Sequence, residues 1–267
     1  MRVLVTGASG GIGRALAAEL HGQGAAVMLV GRDAGTLDRV LVSLGGESPR
    51  LQACVADLAT AAGRREVAAS AAAWGCNVLL NNAGLGEFGF VDDQTDAGLE
   101  RLFAVNVLAP MQLTRALLPH LRAQPQAVVL NMGSVFGSLA YPGFAGYSAS
   151  KFALRGFTEA LRRELADTTV KVQYLAPRAT RTGMNASAVE RMNAELGVTM
   201  DPPELVARAS REMLASGRRE AVLGWPEKLF VRINALLPRV VDGSLRKQLP
   251  IIRRHAHTAA AELVTGT

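Results

Sequence analysis

The sequence predicts an α/β fold in which helices cover both faces of a doubly wound, mostly parallel sheet of seven strands. Short apolar runs alternate with longer Ala-, Leu- and Arg-rich segments along most of the 267 residues, so the repeating unit is a strand followed by a helix. The first run leads directly into a glycine-rich turn and a helix. Hydrophobic residues make up 49% of the chain, which is enough to bury such a sheet.

Each strand is predicted from one apolar run. The first is RVLV, which is followed by the turn TGASGGIG and by RALAAELHGQG, a segment of helical spacing that ends at glycine. The other strands are predicted at residues 26–30, 51–56, 77–82, 126–132 and 170–176, and at the start of EAVLGWP, residues 220–226. Because crossovers between parallel strands are right-handed, the helices between these strands favour a doubly wound sheet.

Charge and cysteine content argue against several classes of protein. The formal net charge is +6, but residues 225–255 hold seven basic and two acidic side chains, so the rest is close to neutral. Without a basic face on the main fold, we expect no nucleic-acid binding. Cys54 and Cys76 have neither the number nor the spacing of a disulfide framework or a metal site. With no secretory signal pattern and no apolar run near the ~18 residues of a spanning helix, we expect a cytoplasmic protein.

The turn TGASGGIG indicates a dinucleotide site. Gly7, Gly11 and Gly13 lie between the first strand and the first helix, where a pyrophosphate must approach the backbone closely and faces the amide groups of the helix. A tight turn without a ligand is the alternative. The strand and helix that flank the turn favour the cofactor.

The end of the second strand bears on which cofactor binds. A carboxylate there would bond a free ribose 2′-hydroxyl and repel a 2′-phosphate. This chain has Gly31 followed by Arg32, whose guanidinium suits a phosphate, so we predict NADP(H) in preference to NAD(H). Asp33 is the counter-evidence, and both charged residues can also simply begin the next helix.

Polar residues near the ends of later strands add candidates. NNAG, residues 81–84, closes the fourth strand at the edge where ligands bind in this architecture, although Asn and Gly also end strands for local reasons. Asn106 lies on an otherwise apolar helical face, so it is either a structural residue or part of a polar network. Ser134 follows the fifth strand.

Tyr147 and Lys151 are four residues apart in GYSASKFALRGF and share one face of a predicted helix. An ammonium group near a phenol lowers the phenol pKa, which suits general acid/base chemistry. An exposed pair on a helix surface is the alternative. Tyr141 is excluded as a competitor because it stands in a turn and has no lysine four residues on.

Together these motifs resemble the short-chain dehydrogenase/reductase family over about residues 1–184. The resemblance implies a Rossmann fold and four catalytic residues. Ser134 would hold the substrate oxygen and Tyr147 would exchange a proton with it. Lys151 would lower the pKa of Tyr147 and bond the nicotinamide ribose, and Asn106 would hold a water connected to Lys151. Hydride transfer is chemistry that the cofactor brings.

The resemblance also assigns residues to the cofactor and implies no metal. The cofactor residues are Gly7, Ser9, Gly11, Ile12, Gly13, Arg32, Asp57, Leu58, Asn82, Ala83, Gly84, Tyr147, Lys151, Pro177, Thr180 and Thr182. One departure from the family pattern is Arg178, which stands where glycine is usual. Arg178 can reach a substrate anion or the cofactor, or turn outward to solvent. We expect the outward orientation, since a cation buried beside a positively charged nicotinamide is costly.

The C-terminal segment is the second departure. We predict a catalytic domain at residues 1–224, with a cofactor half at 1–133 and a catalytic and substrate half at 134–224, followed by a basic amphipathic extension at 225–267. Such an extension can lie on an anionic membrane through residues 225–255, or its apolar face can pack on the core or on a second subunit. We expect the packed arrangement, in a homodimer or homotetramer.

These features predict an NADP(H)-dependent oxidoreductase of a carbonyl or secondary alcohol. Residues 85–90, 135–144 and 183–200 are expected to line the substrate pocket, and their Phe, Leu and Met side chains favour an apolar or acyl-chain ketone. Packing in the core is the alternative for several of them. A non-catalytic NADP(H) sensor and a membrane-surface scaffold are the rival functions. The presence of Ser134, Tyr147 and Lys151 together argues against the sensor, because a sensor needs no proton donor.

Overall fold

A computed structural model describes residues 1–183 and 187–265, with side chains up to residue 258. Seven strands form one sheet in the order β3-β2-β1-β4-β5-β6-β7, and every neighbouring pair is parallel. The strands are β1 Arg2–Thr6, β2 Ala26–Gly31, β3 Leu51–Val55, β4 Val78–Asn81, β5 Ala127–Met132, β6 Val170–Ala176 and β7 Glu220–Val222. The predicted doubly wound sheet is confirmed.

Helices lie between the strands and after the last one. They are α1 Gly11–Gly22, α2 Ala34–Ser43, α3 Ala61–Trp74, α4 Asp96–Phe103, α5 Ala109–Arg122, α6 Ala145–Glu164, α7 Ser187–Glu195, α8 Pro203–Ser216, α9 Glu227–Leu236 and α10 Pro238–Thr265. Short 3₁₀ turns occupy Val91–Asp93 and Val135–Gly137, and a π-helical turn at Ala104–Leu108 joins α4 to α5.

The sheet is buried on both faces. Successive side chains of a strand point to opposite faces, so Val3 and Val5 lie in one core cluster and Leu4 lies in the other. Side chains from α1, α2 and α8 complete the first cluster, and side chains from α3, α5 and α6 complete the second. The strand order reverses between β1 and β4, which is where sheets of this type open a crevice at their carboxyl ends.

The helical stretch Asp96–Arg122 is long and apolar enough to cross a membrane, contrary to our expectation for this chain. It combines α4, the π-helical turn and α5. Half of its most apolar window is buried inside the fold, and Leu113, Leu117 and Leu121 belong to the second core cluster. A core helix of a folded domain has this character, because it must bury a wide apolar face.

The C-terminal segment divides into two parts with different packing. Helix α10 contacts α7, and its Ile252 is fully buried against Phe144, Val189 and Met192. Helix α9 has no buried residue. Helix α10 packs on the core, but most of the apolar residues for which packing was expected lie on α9 and are exposed, so packing on the core of this chain is wrong for them. Their packing on a second subunit stays a prediction.

Candidate active site

The glycine turn has the geometry that a close-approaching ligand needs. Gly7 has φ +66°, and a Cβ there would lie 2.8 Å from Ala83 Cα. A Cβ on Gly13 would lie 2.0 Å from the Gly7 carbonyl oxygen, and one on Gly11 would lie 2.9 Å from Thr182 Cγ2. The turn thus meets NNAG on one side and the loop after β6 on the other. Its bare backbone and the amides that begin α1 fit a dinucleotide pyrophosphate.

Thr6, which sequence reasoning missed, fastens NNAG to the first strand. Its hydroxyl accepts hydrogen bonds from the backbone amides of Asn82 and Ala83, both at 2.9 Å. The Asn82 side chain donates back to the Thr6 carbonyl at 2.9 Å. A threonine directly before the glycine turn was the available signal. Because these bonds hold the backbone of residues 82–84, they shape the crevice between β1 and β4.

Below the crevice, Asn81 of NNAG meets Asn131 and Thr158, two residues that sequence reasoning missed. Asn81 donates to Asn131 at 2.8 Å, and Asn131 donates to Thr158 on α6 at 2.9 Å. All three side chains are buried. This polar chain joins β4, β5 and α6. It therefore fixes the helix that carries Tyr147 and Lys151 to the sheet.

The end of β2 presents Arg32 and Ser9. Ser9 Oγ lies 3.1 Å from the position that a Cβ on Gly31 would take. The carboxylate of Asp33 accepts from the Thr36 backbone amide at 2.7 Å and caps α2. Hydrogen bonding with the side chain of Thr36, and then with its backbone amide, lowers the pKa of Asp33. Arg32 is exposed, and within the described ranges no hydrogen bond or ion pair engages its guanidinium.

Three other predicted cofactor residues are partly committed to the fold. Asp57 accepts from the Ala59 backbone amide at 2.9 Å and forms an ion pair with Arg101 at 3.3 Å. The Leu58 side chain is buried in the second core cluster, and Ile12 packs against the first. At Leu58 the backbone therefore remains for contact with a ligand, whereas the side chain of Ile12 is only partly buried.

The π-helical turn directs Asn106 into the crevice. Asn106 is buried, accepts from the Leu85 amide at 2.8 Å, and donates to the Leu85 carbonyl and to Ser150 Oγ, both at 3.0 Å. A Cβ on Gly84 would lie 3.4 Å from Asn106 Oδ1 and 3.6 Å from Lys151 Nζ. Asn106 is thus both a structural residue and a member of a polar network.

Tyr147 and Lys151 lie on one face of α6, as predicted. Lys151 Nζ lies over the Tyr147 ring, 5.7 Å from its centroid, and donates to the Met132 carbonyl at 3.1 Å. Burial lowers the pKa of Lys151 to about 8. Burial raises the pKa of Tyr147, and a hydrogen bond with the Ser134 side chain lowers it in part. Desolvation outweighs the other effects, so the pKa of Tyr147 lies above its ordinary value, and the expectation that Lys151 lowers this pKa stays a prediction.

Ser134 begins the 3₁₀ turn after β5, where its hydroxyl accepts from the Phe136 amide at 3.1 Å. The next residue, Val135, donates to the Pro177 carbonyl at 2.9 Å, so the serine loop contacts the loop after β6. Tyr174, which sequence reasoning missed, lies buried beneath it. A Cβ on Gly133 would lie 2.2 Å from the Tyr174 hydroxyl. The Ser134 loop therefore rests on the phenol of Tyr174.

The expectation that Arg178 turns outward to solvent is wrong. Its side chain is only 14% exposed and forms a two-pronged ion pair with Asp201, at 2.7 and 3.0 Å. It also donates to Glu227 at 3.3 Å and to the Trp225 carbonyl at 3.0 Å. Two carboxylates and a carbonyl compensate the guanidinium for burial, and pairing with Asp201 raises the pKa of Arg178.

This arrangement shapes the loop that carries Thr180 and Thr182. The Arg181 amide donates to the Asp201 carbonyl at 2.9 Å, and the Asp201 amide donates to the Ala179 carbonyl at 2.8 Å. The Thr180 hydroxyl donates to the Arg178 carbonyl at 3.0 Å. Asp201 is thus a further residue that sequence reasoning missed. It holds the loop through its backbone and Arg178 through its side chain.

Aromatic side chains surround Tyr147. Its ring meets those of Phe136 and Phe144 edge-on, with centroids 6.3 and 6.4 Å apart. The Tyr141 hydroxyl donates to Gln248 of α10 at 2.5 Å. Of the predicted pocket residues, Phe144 and Met192 are buried in this cluster, which is the core-packing alternative, and Met184 lies outside the described residues.

Comparison with known proteins agrees with this architecture. The sequence profile described as short chain dehydrogenase matches residues 1–193. A Mycobacterium tuberculosis protein that carries the name oxidoreductase SadH is 32% identical over 260 residues, which cover 91% of this chain and 92% of that protein.

Two similar solved structures contain nicotinamide cofactors. The 3-ketoacyl-(acyl-carrier-protein) reductase from Brucella melitensis, complexed with NADH, has a TM-score of 0.77 at 26% identity, covering 85% of this chain and 97% of that one. The closed form of serine dehydrogenase, complexed with NADP+, has a TM-score of 0.75 at 28% identity, covering 84% and 94%. Because the profile match spans most of the chain and agrees with its sheet order, this protein belongs to the short-chain dehydrogenase/reductase family of oxidoreductases.

Proposed function

We propose that this protein is an NADP(H)-dependent oxidoreductase that interconverts a carbonyl compound and a secondary alcohol. The observation that carries the proposal is the convergence of Tyr147, Lys151, Asn106 and Gly84 beside the glycine turn. The cofactor supplies or accepts the hydride at the substrate carbon. The residues of the chain bind both reactants and move the proton that balances the hydride.

Tyr147 is the general acid in reduction and the general base in oxidation. When the carbonyl carbon gains hydride, the phenol gives its proton to the carbonyl oxygen, and in the reverse direction the phenolate takes that proton from the alcohol. Ser134, whose side chain lowers the pKa of Tyr147 in part, holds the same oxygen. The raised pKa of Tyr147 keeps the phenol protonated near neutral pH, which favours its role as an acid in reduction.

Lys151 and Asn106 support the proton transfer without contacting the substrate oxygen. Lys151 is buried close to Gly84 and Asn106, and its pKa of about 8 allows it to change protonation state near neutral pH. We assign to Lys151 the nicotinamide ribose as well as the relay of protons to Tyr147. Asn106 belongs to the polar network beside Lys151 and is held in it by hydrogen bonds to Leu85 and Ser150.

The preference for NADP(H) is supported by the end of β2. Asp33 would repel a 2′-phosphate, but its carboxylate is committed to capping α2. Arg32, beside Gly31 and Ser9, is exposed and has a guanidinium suited to phosphate. Since the similar solved structures include an NADH complex and an NADP+ complex, the choice rests on these residues.

An apolar or acyl-chain ketone is the substrate that the surroundings of Tyr147 support. The partly exposed rings of Phe88 and Phe136 both contact buried Phe144, with centroids 5.0 and 5.2 Å from it, and form an aromatic wall backed by that core residue. The two solved relatives named above act on chemically different substrates, an acyl chain and serine, so the family does not decide this point. The aromatic wall favours the acyl chain.

A panel of ketones of increasing chain length, followed with NADPH at the nicotinamide absorbance, tests the proposal. We expect turnover that rises with apolar chain length. Tight NADPH binding without turnover of any ketone would instead favour a redox sensor. A homodimer or homotetramer in the cytoplasm completes the proposal, and sedimentation velocity measures the oligomeric state.

A further inference from the structure

Nearly half of the exposed large apolar side chains in the described part of the chain lie in one short segment. Thirteen large hydrophobic side chains are exposed in the described part of the chain, and six of them lie between residues 225 and 240. We call these six the α9 surface: Trp225, Leu229, Phe230, Leu236, Leu237 and Val240. Trp225 is 68% exposed and Leu236 is 80% exposed. A patch of this density marks an interaction site.

Basic side chains border the α9 surface. Lys228, Arg232 and Arg239 are exposed and lie between its apolar members in the sequence. On a helix, Leu229 and Leu236 share a face with Ile233, and Lys228 and Arg232 lie along the edge of that face. The one acidic residue of α9, Glu227, is paired with Arg178. The surface therefore combines exposed apolar area with positive charge.

The opposite side of α9 is fastened to the body of the protein. Glu227 joins it to Arg178 in the loop after β6. The Asn234 side chain donates to the Ser138 carbonyl, in the loop after Ser134, at 3.0 Å. Helix α9 thus holds two loops of the candidate active site with its inner side. Its apolar outer side remains available to a partner.

We propose that the α9 surface docks on an anionic lipid membrane. Tryptophan and phenylalanine beside leucine suit the boundary between headgroups and acyl chains, and the neighbouring arginine and lysine side chains bind anionic headgroups. Helix α9 has ten residues, about 15 Å, so it lies in the membrane surface and does not cross it.

A second copy of this chain fits the α9 surface less well. A two-fold interface uses the same patch on both subunits, so it would gather Lys228, Arg232 and Arg239 of both copies into one contact region. Like charges placed together at an interface are costly. An anionic membrane offers the opposite charge and a continuous apolar layer. Docking goes beyond the proposed catalysis and does not depend on it.

Vesicle flotation tests the proposal with the full-length protein. Phosphatidylcholine vesicles with and without phosphatidylglycerol are the probes, and the variants are a Leu229→Ser/Phe230→Ser pair and Arg232→Gln. The control is Phe152→Ser on α6, because Phe152 is 43% exposed and Phe230 is 40% exposed. We expect flotation of the wild type and the control with anionic vesicles, about fivefold weaker partition for Arg232→Gln, and little flotation of the pair.

Two results would overturn the proposal. One is a wild type that stays unbound to anionic vesicles, and the other is a Leu229→Ser/Phe230→Ser protein that floats as the wild type does. Circular dichroism and sedimentation of every variant separate folding from docking. A related outcome is a wild type that forms an oligomer, does not float, and is dissociated by the Leu229→Ser/Phe230→Ser change. In that case a second copy covers the surface, and membrane docking is wrong.

Discussion

Tyr147 shows how one side chain is subject to opposing influences. Its burial among Phe136 and Phe144 raises its pKa, and the hydrogen bond with Ser134 lowers it. The ammonium of Lys151 lies over the face of the ring. A phenol held in this way stays protonated at neutral pH, because its charged form is poorly solvated.

Lys151 should make the stability of the protein depend on pH. Its pKa is about 8 in the folded state and near its ordinary 10.5 in the unfolded chain, so the unfolded state binds more protons between these values. The penalty for burying the ammonium is complete below pH 8 and disappears as pH rises toward 10.5. Lys151→Met removes this penalty, so it should raise the unfolding temperature above that of the wild type at pH 7. The increase should be smaller at pH 10, where the wild type has lost most of the penalty.

Thermal unfolding of Lys151→Met and wild type at both pH values measures this effect. The difference between the variants should change by about 2 to 3 kcal/mol in free energy of unfolding. A difference that is the same at pH 7 and pH 10 would show that Lys151 is not desolvated.

Arg32 should distinguish the two nicotinamide cofactors. Replacing it with alanine removes a charge-assisted bond to a 2′-phosphate, so Arg32→Ala should weaken NADPH binding by roughly tenfold or more and leave NADH almost unchanged. Arg39→Ala is the control, since Arg39 already donates to Thr36. Fluorescence titration of both cofactors measures the ratio, and equal losses for NADPH and NADH would mean that Arg32 does not contact the phosphate.

The sequence predicted single residues where a local motif defines their chemistry, and it missed those whose role depends on distant partners. The glycine turn, Tyr147 and Lys151 follow from spacing within a few residues. Asp201 meets Arg178 across 23 positions, and Asn81 meets Asn131 across 50. Sequence periodicity does not predict such pairs, because each pair depends on how separate elements are placed in the fold.

At the level of elements, Arg178 joins the loop after β6 to the beginning of α8 and to α9. Removing its side chain leaves Asp201 buried without its cationic partner. Arg178→Gly should therefore destabilise the protein by about 3 to 5 kcal/mol, and adding Asp201→Asn should recover part of that loss. Thermal unfolding measures both variants. If Arg178→Gly unfolded like the wild type, the ion pair would contribute nothing in solution.

The π-helical turn at Ala104–Leu108 is an element that the sequence did not predict. The apolar pattern around Asn106 indicated an ordinary helix, since one extra residue in a turn changes that pattern very little. The turn lets Asn106 reach both the amide and the carbonyl of Leu85. The polar side chain was therefore predictable as a candidate, but its partners were not.

For the whole molecule, the sheet and its strands could be predicted almost to the residue, whereas the C-terminal segment could not. Parallel strands that are buried on both faces require short, continuous apolar runs, and turn residues mark where each run ends. A basic amphipathic segment suits a membrane, a core or a partner equally well. The structure divides these roles between the two C-terminal helices, with α10 packed on α7 and the outer face of α9 uncovered.

The packing of α10 should make it part of the cooperative fold. Ile252 is fully buried against Phe144 and Met192, so Ile252→Ala should cost about 2 to 5 kcal/mol of unfolding free energy through lost contacts and a cavity. Val240→Ala, at an exposed site, should change it by no more than about 0.5 kcal/mol. Chemical denaturation compares the two. Equal and small effects would mean that α10 does not stabilise the domain.

The central claim is that Tyr147 transfers the substrate proton, and the turnover of Tyr147→Phe with NADPH tests it most directly. Tyr141→Phe is the matched control, because Tyr141 lies in the same aromatic cluster but its hydroxyl bonds Gln248. We predict that Tyr147→Phe loses about 10²- to 10⁴-fold in kcat while its NADPH affinity is retained, and that Tyr141→Phe keeps turnover. Near-wild-type turnover of Tyr147→Phe would contradict the claim.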